Sequence, residues 1–297
     1  MQKVSIGIIG LGGIGALIAS LLKEKKYTVF SNKKTKKKKI KINLKSKYYG
    51  DLTSEVKIDP YLKKVDIIFI CTKFPFLKKN LHNIRNKKAL IIPFLNGLSH
   101  FKILKKKFGK NCFVSNIGKV VSKKHTKYEI IHVSNNQPEV LISSFNKRKD
   151  DVTKVKKILN DIKFKIKIKT KDQNVIWNKL IRLSAISSIT SLYNCNLGKI
   201  RKSKFKMNQL NMLLKESLQI SKEAYGFNEK YTNIHKVIKS FPDNLTTSLQ
   251  RDINSNLKSE LETQIGAILK LSNDYDVDMP MHKKIYLELK KKCQKKY

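Results

Sequence analysis

Gly10, Gly12 and Gly15 stand in the spacing G-x-G-x-x-G within GIIGLGGIG, after an apolar β-branched run and before a run of helical periodicity. The first glycine permits a tight turn, the second lets the backbone approach a pyrophosphate, and the third lets the helix pack closely on the strand. The helix N-terminus then offers its free N–H groups to the phosphates. Gly10, Leu11, Gly12, Gly13, Ile14 and Gly15 are therefore expected to bind a dinucleotide. In such folds an acid roughly 20 residues further on selects NAD, whereas a nearby cation accommodates the 2′-phosphate of NADP. No Asp or Glu occurs from Lys25 to Gly50, and Lys34 lies nineteen residues beyond Gly15. Ser31, Asn32 and Lys34 are expected to form a 2′-phosphate site, with NADPH/NADP as cofactor. The same stretch also reads as a lysine-rich surface loop.

A second candidate is Lys179, in QNVIWNKLIRLSAISS. Lys179, Leu183 and Ser187 recur every four residues and so share one helical stripe. Trp177 points nearly opposite, toward a core. Desolvation of a lysine facing a partly apolar cleft disfavours its ammonium and brings its pKa toward neutrality, where it can act as a general acid. An ordinary surface lysine is the competing reading.

The elements that must hold these groups follow from periodicity. Strand-like runs at Val4 to Ile9, Tyr27 to Phe30, Val65 to Cys71 and Ala89 to Phe94 alternate with helical patterns at Ile14 to Leu22, Phe76 to Ile84 and Phe101 to Phe108. Such alternation predicts a parallel sheet with helical crossovers. Further strands are predicted at Phe113 to Val121, Tyr128 to Val133, Val140 to Phe145 and Phe164 to Lys169, with a helix at Asp151 to Ile162. Lys33 to Lys39 is predicted to be a surface loop. Beyond Asp172 strand signals nearly vanish, and helices are predicted at 172–193, 206–224, 228–240, 258–276 and 280–292. The expected organisation is a Rossmann-type dinucleotide-binding domain over residues 1–170 and an all-α domain over 171–297.

Composition narrows the function classes. Of 64 Lys+Arg only five are arginine, spread along a chain of 297 residues with formal charge +42. Nucleic-acid readers favour clustered arginine for bidentate contacts, so the charge reads mainly as solvated lysine, with no specific nucleic-acid partner expected. No tract is apolar enough for a bilayer span, and Met1 to Lys3 run straight into an apolar strand. A cytoplasmic protein with no membrane partner is expected. Cys71, Cys112, Cys195 and Cys293 are far apart, as are His82, His100, His125, His132, His235 and His282, so no metal site is expected.

The segments GLGGIG (10–15), CTK (71–73), LNG (95–97), EIIHVSNN (129–136), IWNKL (176–180), YNCNLGK (193–199) and TTSLQRDINSNLKSELE (246–262) together resemble the ketopantoate reductase (2-dehydropantoate 2-reductase) family along nearly the full length. The resemblance implies a helical domain like that of 6-phosphogluconate dehydrogenase and reduction of the C2 ketone of ketopantoate by NADPH, for pantothenate and coenzyme A synthesis. It implies Lys179 as proton donor and Glu260 as the acid that binds the substrate hydroxyl and orients the lysine. Ser248 is implied to bind substrate, and Lys73 and Asn96 to lie near cofactor and substrate. A small 2-oxo acid is the implied substrate, and the sequence leaves monomer or homodimer open.

On a straight helix Glu260 would lie about 120° from Ser248, so a bend near Asn254 to Asn256 is required. Leu183 and Ser187 stand where the family has two substrate-binding asparagines; Ser187 remains a candidate substrate contact. Leu95, Leu257, Ser259 and Glu262 also depart from the family pattern. These departures admit a different 2-oxo acid on the same fold, or a dinucleotide-binding sensor without catalysis.

Overall fold

The computed structural model describes residues 4–82 and 84–294; Met1–Lys3 lie outside them. The chain divides into two compact units, the residues up to Leu95 with His100–Val175, and Asn96–Ser99 with the residues from Ile176 onward.

In the first unit, strand β1 (Ser5–Ile9) leads through the glycine turn into helix α1 (Gly13–Glu24) and strand β2 (Thr28–Ser31). Strands β3 (Lys39–Ser46), β4 (Leu52–Ile58) and β5 (Ile67–Ile70) follow, then helix α2 (Leu77–His82), strand β6 (Leu90–Pro93) and helix α3 (Ser99–Phe108). Strands β7 (Ser115–Gly118), β8 (Ser122–Lys124), β9 (Glu129–His132) and β10 (Glu139–Ser143), helix α4 (Lys149–Asp161) and strand β11 (Lys165–Lys169) complete it. The main sheet has the order β6-β5-β1-β2-β4-β3-β9-β8. Its β6-β5-β1-β2-β4 portion is parallel throughout. Chain order reverses at β1, so the turn after β1 lies at the topological switch point, where open parallel sheets hold their ligands. A smaller sheet pairs β10 with β11 in parallel and with β7 antiparallel.

Two strands depart from the sequence reading. Residues 33–38 form the expected loop, but Lys39 already opens a strand, and the unanticipated β3 and β4 pair antiparallel. In β3 every second residue is buried, Ile40, Ile42 and Leu44 among them, while the intervening lysines face outward. The lysine run therefore ends inside a strand whose apolar alternation carries it. The single strand expected at Phe113 to Val121 is broken after Gly118, and β8 turns back to pair antiparallel with β9.

The second unit is helical. Helix α5 (Asp172–Tyr193) enters it, followed by α6 (Leu197–Arg201), α7 (Lys204–Tyr225), α8 (Tyr231–Lys239), α9 (Ser248–Asn254), a π-helical turn at Glu262–Gly266, α10 (Ala267–Asp274) and α11 (Pro280–Gln294). Helices α6 and α9 were not anticipated, being too short for their periodicity to register. The helix expected over 258–276 begins only at Leu261. Trp177, fully buried beside Tyr225 at 5.8 Å between ring centroids, anchors the core of this unit. Among the described residues no helix is long and apolar enough to cross a membrane.

Candidate active site

The glycine turn is a site made of backbone. Gly10 has φ +92, and a Cβ there would fall 2.7 Å from Thr72 N, at the C-terminal end of β5. A Cβ on Gly15 would fall 2.0 Å from Gly10 O, so only glycine lets α1 pack this closely on β1. Gly13 is needed for a different reason: a Cβ there would meet Ser122 O at 2.1 Å, where Ser122 Oγ also donates to Gly13 O at 2.9 Å. A Cβ on Gly12 would meet nothing within 4 Å. That open face adjoins the first turn of α1, which carries no acidic side chain and has no side-chain cap at Gly12. An uncapped helix N-terminus beside an unobstructed glycine suits a phosphate group.

At the end of β2 the candidate residues divide. Ser31 is fully buried and its Oγ accepts from Lys33 N at 3.2 Å. Asn32 is also buried, its Nδ2 donating to Asn80 O and Oδ1 at 3.4 Å. Asn80 in turn donates to Thr72 Oγ1 at 3.2 Å, so an asparagine pair ties the ends of β2 and β5 together. Lys33 is drawn over the Tyr128 ring, 4.5 Å from its centroid. Lys34 faces solvent. Lys73 is half-buried at the start of the 3-10 turn Phe74–Phe76.

In the helical unit three segments converge through side chains. Lys179 Nζ donates to Asn96 Oδ1 at 2.8 Å, and Asn96 Nδ2 donates to Glu260 Oε2 at 3.0 Å. The asparagine amide is thereby oriented, its oxygen toward the ammonium and its nitrogen toward the carboxylate. Gly97, at φ +86, makes the turn that presents Asn96; a Cβ there would fall 2.1 Å from Thr263 O. Glu260 is 6% exposed. Desolvation pushes the Lys179 ammonium down to about 8; the nearby Arg182 charge adds to this and the Glu260 carboxylate opposes it. A lysine in this range holds a proton at neutral pH and releases it readily.

The bend required by the sequence is present. Helix α9 stops at Asn254, Asn256 takes φ 54, and helix resumes at Leu261, which turns Glu260 inward. Ser248 opens α9, half-buried, behind the N-cap Thr247. Thr247 Oγ1 lies 3.2 Å from Thr190 Oγ1, which fixes the start of α9 against α5. Ser187 stands apart from this cluster in character: it is fully buried and its Oγ has no hydrogen-bond partner. Leu183 is half-buried. Sequence reasoning did not single out Thr72, Asn80, Arg182 or Gln264. Gln264 alone carried a signal, its spacing of four from Glu260. Among the described residues no group of three or more His, Cys, Asp or Glu could hold a metal ion.

The fold has parallels among known proteins. An uncharacterized oxidoreductase of Bacillus subtilis, YkpB, is 21% identical over 95% of this chain and 96% of its own. A dimeric ketopantoate reductase from Staphylococcus aureus superposes with a TM-score of 0.80 at 21% identity, covering 99% of this chain and 100% of that one. A D-mandelate dehydrogenase, solved with NADH and anilino(oxo)acetate, gives a TM-score of 0.87 at 15% identity over 99% of both chains. At such identities the structural likeness establishes the fold. The model "Ketopantoate reductase PanE/ApbA" matches residues 6–147 and its C-terminal counterpart, "Ketopantoate reductase PanE/ApbA C terminal", matches residues 173–293. With both halves matched in order, the chain belongs to the ketopantoate reductase PanE/ApbA family of oxidoreductases.

Proposed function

We propose that this protein reduces ketopantoate (2-dehydropantoate) to pantoate with NADPH, with residues 1–170 as the NADP-binding domain and 171–297 as the catalytic domain. The observation that carries the reading is the chain Lys179–Asn96–Glu260, in which a lysine already drawn down to about 8 is hydrogen-bonded to an oriented amide. The glycine turn fits a dinucleotide, since Gly12 leaves its face open and α1 offers uncapped N–H groups. Gly10 to Gly15 would hold the pyrophosphate, Lys34 with Ser31 and Asn32 the 2′-phosphate, and Lys73 and Asn96 the remainder. Bound NADPH supplies the hydride for the C2 carbonyl carbon.

Lys179 does the rest of the chemistry. As negative charge builds on the carbonyl oxygen, a preplaced ammonium stabilises it, and Nζ then gives up its proton to that oxygen. Asn96 Oδ1 aims the ammonium, and the Glu260 carboxylate accepts a hydrogen bond from the substrate hydroxyl. Ser248 donates to the substrate carboxylate. In the test, loss of the NADPH absorbance band is followed with ketopantoate and a panel of 2-oxo acids, against NADH as control. NADPH-specific turnover of ketopantoate is expected. NADPH binding without turnover of any 2-oxo acid leaves the sensor reading standing instead.

A second reading is favoured by Leu183, an apolar side chain on the Lys179 stripe, and by the inward burial of Ser187. Losing a hydrogen bond to a charged ligand costs about 1.5–3 kcal/mol, and an apolar contact there suits a 2-oxo acid with an apolar side chain. The D-mandelate dehydrogenase relative, with NADH and anilino(oxo)acetate, marks one direction such a specificity takes. Faster turnover of an apolar or aromatic 2-oxo acid than of ketopantoate selects this reading.

A further inference from the structure

Glu260 is buried, and a buried carboxylate is tolerated only where donors meet its oxygens. Asn96 Nδ2 is one donor to Oε2, and Gln264 Nε2, at 3.4 Å, is another. Gln264 is fully buried, and its Oε1 has no hydrogen-bond partner. An orphaned buried acceptor is a cost that a methionine of similar length would avoid. The amide is therefore explained by what its nitrogen does. Its orientation follows from chemistry, because the reverse would press two oxygens together.

The backbone around Gln264 is unusual too. Glu262–Gly266 is a π-helical turn, wider than an α-helix, a feature that recurs at functional sites. Within it Thr263 O accepts from Leu98 N at 3.0 Å, and Thr263 Oγ1 donates toward Asn96 O at 3.5 Å and Glu260 O at 3.2 Å. One turn of chain thus docks the backbone that carries Asn96 through Thr263, and the carboxylate that Asn96 touches through Gln264.

We infer that Gln264 is a positioning residue, which holds the Glu260 carboxylate against Asn96 so that the asparagine oxygen stays aimed at the Lys179 ammonium. The inference rests on Lys179 being the proton donor proposed above. Without the Gln264 donor the carboxylate leaves Asn96, and Lys179 loses the attraction that supports its charged form.

Gln264→Met tests this with two readouts. Titration of the Lys179 ε-methylene by NMR, assigned by difference from Lys179→Arg, requires no substrate. The titration midpoint is expected to fall below the wild-type value by about half a unit or more. In turnover, kcat is expected to drop about tenfold with KM nearly constant, and adding Gln264→Met to Glu260→Gln should cost nothing further, since residues acting through one group are non-additive. An unchanged or raised Lys179 titration overturns the inference, as does full additivity in the cycle. A wild-type protein inert toward every 2-oxo acid defeats the proposed function instead, and the titration still judges the positioning. Should Gln264→Met fold poorly, Gln264→Leu gives the same readouts.

Discussion

The glycine turn and the lysine cluster solve the same problem, holding charge in place, by opposite means. The turn works by leaving side chains out: Gly10, Gly13 and Gly15 are each fixed by a backbone or side-chain atom under 3 Å from where a Cβ would lie, and Gly12 by open space. The cluster works by side chains alone, Lys179, Asn96 and Glu260, brought from three separated segments by one helix, one glycine turn and one broken helix. The turn is held because an addition at Gly10, Gly13 or Gly15 clashes with the protein itself. A site of side chains is tunable, since each neighbouring charge moves the lysine.

The comparison breaks first at Lys179. Replacing it with Met removes the proton donor, and steady-state NADPH oxidation should fall by about 10²–10⁴-fold, with the melting temperature little changed because the side chain is not part of the apolar core. A fall of only a few fold would move the chemistry elsewhere.

The glycines are next. Gly15→Ala forces a Cβ to within 2.0 Å of Gly10 O and should lower both stability and dinucleotide affinity. Gly12→Ala, whose Cβ meets nothing in the protein, should leave the melting temperature unchanged and weaken NADPH about tenfold or more by titration calorimetry, through crowding of the pyrophosphate. Equal affinity in Gly12→Ala and wild type would mean the phosphates bind elsewhere.

The tunability of the cluster gives a signed pair. The Arg182 charge lowers the Lys179 pKa and the Glu260 charge raises it. Arg182→Gln should therefore move the basic limb of the rate profile to higher pH, and Glu260→Gln to lower pH, each by about one unit or less. Movement of both limbs in the same direction would contradict this electrostatic account. The smallest effect is expected at Lys34: Lys34→Ala should narrow the preference for NADPH over NADH by about tenfold or less, because an exposed cation beside a phosphate is screened by solvent.

What the sequence made legible follows the same division. A backbone site writes itself as glycines at fixed spacing, so the turn after β1 could be read directly, as could the alternation of β1, α1, β2, β5 and β6. The lysines of KIKINLKS hid β3, although Ile40, Ile42 and Leu44 keep the period of a strand. The helix break between Asn254 and Leu261 was required by the angle between Ser248 and Glu260 rather than seen in any local signal. The contact of Asn96 with Glu260 spans 164 residues, and no spacing rule reaches that far. The π-helical turn depends on one extra residue in a helix, a change periodicity averages away, whereas the spacing of four between Glu260 and Gln264 was open to reading.

The central claim, that Lys179 gives up the proton, is tested most directly by the pH dependence of kcat for ketopantoate reduction. An acid must be protonated to act, so kcat should be level below the Lys179 pKa of about 8 and fall about tenfold per unit above it. A kcat that stays level or rises through pH 10 would contradict the claim.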